Sequence, residues 1–421
     1  MTATRDKDDK WLWVFVPINA AVGGYNTLLP LYVINLGGTV VDVGNIISAY
    51  NLAIIPSAIL WGLAVDRTGR RKPFVTYSYL GITILLVAGF FITDISTILL
   101  AYFCYAIVFT AASPAVSILI IESSSKKRLS TTYARYSALT LIGTAAGAIP
   151  GTLWTNFLPL KGYFLLCAIF SIISVILATK FLVEPAFPLE RKMVALTQES
   201  LVAKLRTVSM IFITIPSLED IKSLGKMMRS AFTRQLPLLY LSFFLWFMAA
   251  YLFFTPYTPF LKGQEVEDSG VFTIWSVLFI LEALVFLITG RACGRYGERR
   301  VAISSLLVRV VGFSSGIATV VLMLRSSTLM IASMLVTAVT GTAYALYTTS
   351  SSILLFRSLP AGKQGELLGL YSALTGIAAF VGAIASGYLS LRFGYGVTFS
   401  MATVLAIGCL VAFRAAFREE S

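Results

Sequence analysis

Two residues place charge where the surrounding sequence makes charge costly. Glu282 lies within the apolar stretch 271–290 and Arg309 within 301–323; no other acid or base sits as deep in an apolar stretch of this chain. Ionisable groups in such settings mark functional positions or pair with one another. Their depths agree. Glu282 precedes Gly290 by eight residues and Arg309 follows Val301 by eight, which at helical rise is about 12 Å from the same face. Two chemistries fit: a structural ion pair that neutralises two buried charges, or a site where Glu282 binds a proton or substrate. Polar and aromatic residues also recur at helical spacing: Asn19, Gly23, Asn26 and Pro30, then Tyr251 and Thr255, then Tyr344, Tyr347 and Ser351. Such faces either hydrogen-bond and stack on a solute or pack helix against helix.

Other chemistries lack their residues. The chain has no histidine, which removes the usual metal ligand and the usual proton switch near neutral pH. Its four cysteines, Cys104, Cys167, Cys293 and Cys409, are scattered without a CxxC pair, so neither a metal site nor a disulfide framework is expected. No G-x-x-x-x-G-K-[ST] phosphate loop is present. No cofactor is expected, and any transport is driven by an ion or solute gradient, protons being the default. An enzyme embedded in the membrane lacks an acid–base constellation here, and a sensor that moves no solute is the remaining alternative.

The elements that position these residues are membrane spans. The 421 residues are 57% hydrophobic and only 13% charged, against about 25% charged in soluble domains, and the mean hydropathy is +0.83. At about 20 residues per crossing, twelve spans are predicted: 11–36, 43–65, 74–93, 96–121, 134–156, 162–183, 236–261, 271–290, 301–323, 327–356, 367–390 and 395–417. The first is too long for the apolar region of a cleaved signal peptide. The net charge of +13 is not a nucleic-acid signature, because Lys and Arg cluster in one set of connections: 28 lie on one side and four on the other. This asymmetry places both termini in the cytoplasm and an even number of crossings between them. Residues 184–235 are expected to be a cytoplasmic connection with short surface helices, dividing a six-span unit at 1–183 from a second at 236–421.

The halves repeat. Gly62-Leu-Ala-Val-Asp66-Arg67-Thr-Gly69-Arg70-Arg71 closes the second span, and Gly290-Arg-Ala-Cys-Gly294-Arg295-Tyr-Gly297-Glu-Arg299-Arg300 closes the eighth. Tyr136-Ser-Ala-Leu-Thr140 and Tyr371-Ser-Ala-Leu-Thr375 open the fifth and eleventh spans, each followed by Gly-Ala-Ile, at Gly147 and Gly382. Internal repeats of this kind mark secondary transporters, with the solute site between the halves.

The first of these segments resembles the loop signature G-x-L-A-D-R-x-G-R-[KR] of the major facilitator superfamily. Gly62, Asp66, Arg67, Gly69, Arg70 and Arg71 stand at its spacing, with Ala64 and Val65 as apolar departures. The resemblance covers essentially the whole chain. It implies an all-α membrane protein of two pseudo-symmetric six-helix bundles, working as a monomer in the plasma membrane by alternating access. It also implies a gating role for the loop, with Asp66 latching one state; Gly294 replaces that acid in the second copy. It makes Asn19, Asn26, Tyr251, Thr255, Tyr344 and Tyr347 cavity-lining candidates, and a cavity so poor in charge suits a neutral, amphipathic or aromatic solute. It puts the ninth span at the periphery, which favours a structural role for Arg309 more than for Glu282. Gly143, Gly147, Pro150 and Gly151 partly match the antiporter motif G-x-x-x-G-P-x-x-G-G of the fifth span, with the proline displaced. No arginine lies between Ser96 and Ile121, where another antiporter signature places one. The implied function is proton-coupled efflux of a small organic solute, with uptake of a sugar or metabolite, or facilitated diffusion, as alternatives.

Overall fold

The computed structural model describes residues 9–123, 129–182, 235–322, 324, 326–359 and 364–417. The expected connection 184–235 lies outside these apart from Gln235. Among the described residues the chain is helical and has no strand.

The N-terminal bundle holds α1 (Phe15–Asn35), α2 (Val40–Thr68), α3 (Lys72–Phe91), α4 (Ile95–Thr110), α5 (Ala112–Ser123), α6 (Leu129–Phe157) and α7 (Tyr163–Phe181). The C-terminal bundle holds α8 (Gln235–Phe254), α9 (Tyr257–Gly263), α10 (Asp268–Tyr296), α11 (Glu298–Val321), α12 (Ser326–Ser358), α13 (Gln364–Phe393) and α14 (Tyr395–Ala416). Two predicted spans are each two helices. Pro114 cannot donate to the Thr110 carbonyl and Pro256 cannot donate to that of Leu252, and each ring crowds the carbonyl it fails to pair. The helix breaks one turn ahead of Pro114, at Ala111, and at Thr255–Pro256. Pro30, Pro56 and Pro150 sit inside continuous helices.

Among the described residues, eleven segments are long and apolar enough to cross a membrane. The twelfth, α6, has 29 residues but is rich in Thr, Ser and Gly. It packs on α1 and α10, so much of its surface needs no lipid-compatible side chains. Backbone contact explains its glycines. A Cβ on Gly147 would enter the backbone of Ala20, and one on Gly23 would enter that of Thr144. Close approach of this kind holds helices together where lipid removes the hydrophobic drive. Gly147→Val is therefore expected to cost at least the about 1–3 kcal/mol of an overpacked core, read as a lowered unfolding temperature in detergent, with Gly147→Ala intermediate.

Within the bundles, α1 packs on α6 and α7, α3 on α7, α8 on α13 and α14, and α12 on both α10 and α11. Between them, α2 meets α13 and α6 meets α10. These four helices carry the two repeated sequence segments, so the repeat falls on the interface. Gly69 ends α2 with φ +64° and its counterpart Gly297 separates α10 from α11 with φ +84°. Both are left-handed backbone positions that glycine adopts without strain.

The named interface contacts lie in the halves of the helices nearer Asn35. Gly44 faces the Ala383 carbonyl and Gly387, Ser48 donates to the Phe380 carbonyl at 3.3 Å, and Phe272 lies against Tyr163 and Gly151. At this end Asn35 donates to one Asp268 oxygen at 3.1 Å and Lys262 donates to the other at 2.7 Å. Farther along α2, Ile59 and Leu60 are more than 60% exposed. Lys262 and Asp268 both belong to the C-terminal bundle, so across the interface Asp268→Ala removes the Asn35 hydrogen bond; such a bond is worth about 1 kcal/mol net, and the substitution is expected to open this end about fivefold more often. The rate at which an impermeant thiol reagent labels a cysteine introduced at Val41 measures that change.

Candidate functional site

A cavity of about 300 Å³ lies within the C-terminal bundle between α8, α10, α11 and α12. One wall is a face of α10: Trp275, Leu278, Phe279 and Glu282. The facing wall is Phe247, Tyr251 and Phe254 of α8. Thr340, Gly341 and Tyr344 of α12 form the floor, with Arg309 of α11 behind it. The α10 and α8 faces follow three-four spacing, so one side of each helix supplies a whole wall.

Glu282 and Arg309 do share this site, as their equal depth predicts. They do not form a contact ion pair: the described residues contain no salt bridge between them within 4.0 Å. α12 packs against both α10 and α11 and offers Arg309 a backbone acceptor. The Arg309 guanidinium instead donates through Nη1 to the Thr340 carbonyl at 3.1 Å. Its centre lies 4.4 Å from the Trp246 ring, 4.6 Å from Phe313 and 5.2 Å from Phe254, within the range of favourable cation–π contact. Arg309 is 1% exposed, and its Nε and Nη2 are covered without a hydrogen-bond partner. Glu282 is 9% exposed and is the fifteenth residue of the 29 in α10, its midpoint. Arg309, Tyr344 and Tyr251 line the same cavity.

The other expected residues divide. Tyr251 and Tyr344 line the cavity. Tyr251 also faces the Asn51 side chain across the bundle interface, which puts the cavity one side chain from the N-terminal bundle. Tyr347 does not line the cavity. It stacks on Trp246 at 4.0 Å and shares a 3.0 Å hydrogen bond with Ser242 in the bundle core. Thr255 is buried at the break between α8 and α9 with an unpartnered hydroxyl. Asn19 donates to the Phe15 carbonyl at 2.7 Å, and Asn26 is exposed midway along α1; both belong to the other bundle.

The helix-five motif is a packing seam. Gly143 faces the Val16 carbonyl and Asn19, Gly147 faces Ala20, Gly151 faces Phe272 of the other bundle, and Pro150 lies between them. In the loop expected to gate, Gly62 has open space around it, Gly69 ends α2, Arg70 is exposed, and Arg71 is buried just before α3. The Asp66 and Arg67 side chains lie outside those described. Beside the loop, Lys72 donates to the Thr179 carbonyl at 2.7 Å, capping the last turn of α7.

Sequence reasoning missed the aromatic walls. Trp275, Phe279 and Glu282 stand at i, i+4 and i+7, as do Phe247, Tyr251 and Phe254, and that spacing was the available signal. It also missed a tyrosine cluster in the N-terminal bundle, where Tyr25 lies 4.8 Å from Tyr105 and Tyr50 stacks on Tyr102 at 4.6 Å.

The sequence profile of the Major Facilitator Superfamily matches residues 12–289 and 268–421. The chain belongs to the Major Facilitator Superfamily. Solved transporters of this architecture superpose on it over nearly full length. A point mutant of the nucleoside transporter NupG is 15% identical with a TM-score of 0.73, covering 97% of this chain and 99% of its own. A point mutant of the peptide transporter POT, in complex with sulfate, is 15% identical with a TM-score of 0.68, covering 97% and 94%. The human organic anion transporter MFSD10 (TETRAN) is 16% identical with a TM-score of 0.63, covering 98% and 100%. No curated protein sequence matches the chain. As a superfamily member it is a multi-pass membrane transporter of solutes rather than an enzyme. At these identities the superposed structures speak to fold alone.

Proposed function

We propose that this superfamily member exports a small organic solute in exchange for protons, with Glu282 as the group that takes the proton. One observation carries the reading: Glu282 is a carboxylate on a cavity wall at the midpoint of its helix, with no salt-bridge partner within 4.0 Å among the described residues. A carboxylate locked to arginine would hold its charge permanently. One without a fixed partner is free to alternate between a proton and a solute.

The charged and titratable groups around Glu282 are Arg309 of α11, Tyr344 of α12 and Tyr251 of α8. The packed helix α6 contributes none between Tyr136 and Phe157. The cavity also adjoins the bundle interface through Tyr251 and Asn51, so rocking of the bundles changes its access. The excess of Lys and Arg on one side supports cytoplasmic termini in the plasma membrane. The end closed around Asn35 and Asp268 then faces outward, and the conformation is open to the cytoplasm. A single chain contains both halves of the repeat and works as a monomer.

The test is solute flux in proteoliposomes, across a panel of drugs, sugars and small acids, with and without an imposed pH gradient. Gradient-driven accumulation of a compound supports exchange for protons. Flux that only equilibrates in every case means a facilitator and removes the coupling role from Glu282.

A further inference from the structure

We propose that the α8–α10–α11–α12 cavity binds a small organic cation, a protonated amine on an aromatic or apolar body of one or two rings, with Glu282 as its counter-charge. This deepens the transport reading and rests on it.

The argument starts from which charge the cavity presents. Arg309 and Glu282 both border it, but they are placed differently. The guanidinium is spent on the Thr340 carbonyl and on three rings, and its remaining nitrogens, Nε and Nη2, are sealed from any incoming group. Glu282 is neither hydrogen-bonded nor ion-paired among the described residues, and its carboxylate is not among the sealed atoms. A ligand therefore meets one open ionisable group, and its charged form is negative. An anion would find no open guanidinium donor and would face a carboxylate. A neutral solute would leave Glu282 holding its proton, because an unpaired carboxylate in an apolar pocket neutralises instead, and such a solute would not displace that proton. A cation satisfies the carboxylate.

The walls point the same way. Trp275 and Phe279 stand about two turns and one turn before Glu282 on α10, Phe247 and Tyr251 come from α8, and Tyr344 comes from α12. Aromatic faces attract cations through their quadrupole and enclose apolar ligand bodies. The volume of about 300 Å³ lies at the lower end for ligand pockets, which sets the size at one or two rings. Arg309 weakens the binding of any cation, but it opposes a proton on Glu282 and an amine beside it alike. Competition between the two therefore survives, and it is what exchange requires.

The test is equilibrium binding to the full-length protein in lipid nanodiscs, with radiolabelled tryptamine and phenethylamine as probes. Competitors are the neutral 3-ethylindole, the anionic indole-3-propionate and the zwitterionic tryptophan. We expect the amines to bind at least tenfold more tightly than the neutral and anionic analogues, and Glu282→Gln to erase most of that difference. The wild-type series needs no variant, so a poorly folding variant does not spoil it. Equal binding of amine and neutral analogue overturns the proposal. So does preference for the anion or the zwitterion, or failure of both amines to bind. Gradient-driven flux of an uncharged compound alongside charge-blind binding would sink the cation class and leave the exchange mechanism standing.

Discussion

Glu282→Gln is expected to yield a folded protein that still exchanges solute across the bilayer but no longer accumulates it. Glutamine keeps the size of the side chain and cannot take up a proton. Because Glu282 makes no salt bridge within 4.0 Å among the described residues, the substitution breaks no direct contact of a buried cation. The Arg309 guanidinium keeps its Thr340 carbonyl and its three rings. The loss therefore falls on coupling rather than on folding. In vesicles with an acidic lumen, the wild type accumulates solute as protons leave; the variant loses at least tenfold of that accumulation and becomes insensitive to the gradient. Counterflow of labelled against unlabelled solute continues once the solute concentration is raised at least tenfold to offset the lost carboxylate contact. A structural ion pair would behave in the opposite way, with reduced stability and gradient dependence preserved in whatever protein survived.

The second large effect belongs to Gly387→Val. A Cβ at Gly387 meets the Val41 Cα at 2.9 Å and the Val40 carbonyl oxygen at 3.0 Å. Both are backbone atoms and cannot move aside as a flexible side-chain end would. The valine wedges α13 away from α2 at the end where the bundles meet. Overpacking costs about 1–3 kcal/mol, which moves the closed–open balance by about fivefold to over a hundredfold. Each bundle keeps its own packing, so the protein folds while transport falls, because alternating access needs both states. Labelling of a cysteine at Val41 by an impermeant thiol reagent is expected to rise in parallel. Unchanged labelling with lost transport would mean that the wedge acts elsewhere.

Much of the architecture is legible in the residues. Spans follow from apolar length, and the repeated segments point to α2, α6, α10 and α13, the helices of the interface. Proline shows the limit. Pro30 and Pro150 sit in continuous helices while Pro114 and Pro256 accompany breaks, because neighbouring helices decide whether the freed carbonyl is tolerated. The shared depth of Glu282 and Arg309 was readable along the helix axis. That Arg309 would turn to the Thr340 carbonyl and three rings instead was not, because helical spacing fixes depth and not which neighbour fills the space around it. The aromatic walls were hidden for a related reason. Phe and Trp suit lipid and cavity equally well, so only their three-four spacing with Glu282 set them apart. Tyr347 shared the spacing of Tyr344 but turned into the core, where Trp246 and Ser242 receive it.

Proton movement itself is the most direct test of the central claim. Proteoliposomes carrying a trapped pH-sensitive dye are given a solute that the flux panel has identified, with no pH gradient imposed. Solute entry in exchange for luminal protons is predicted to make the lumen more alkaline in the wild type, and to leave luminal pH unchanged in Glu282→Gln while counterflow persists. Solute entry with no change of luminal pH in the wild type, or an alkaline shift that survives in Glu282→Gln, would contradict the account.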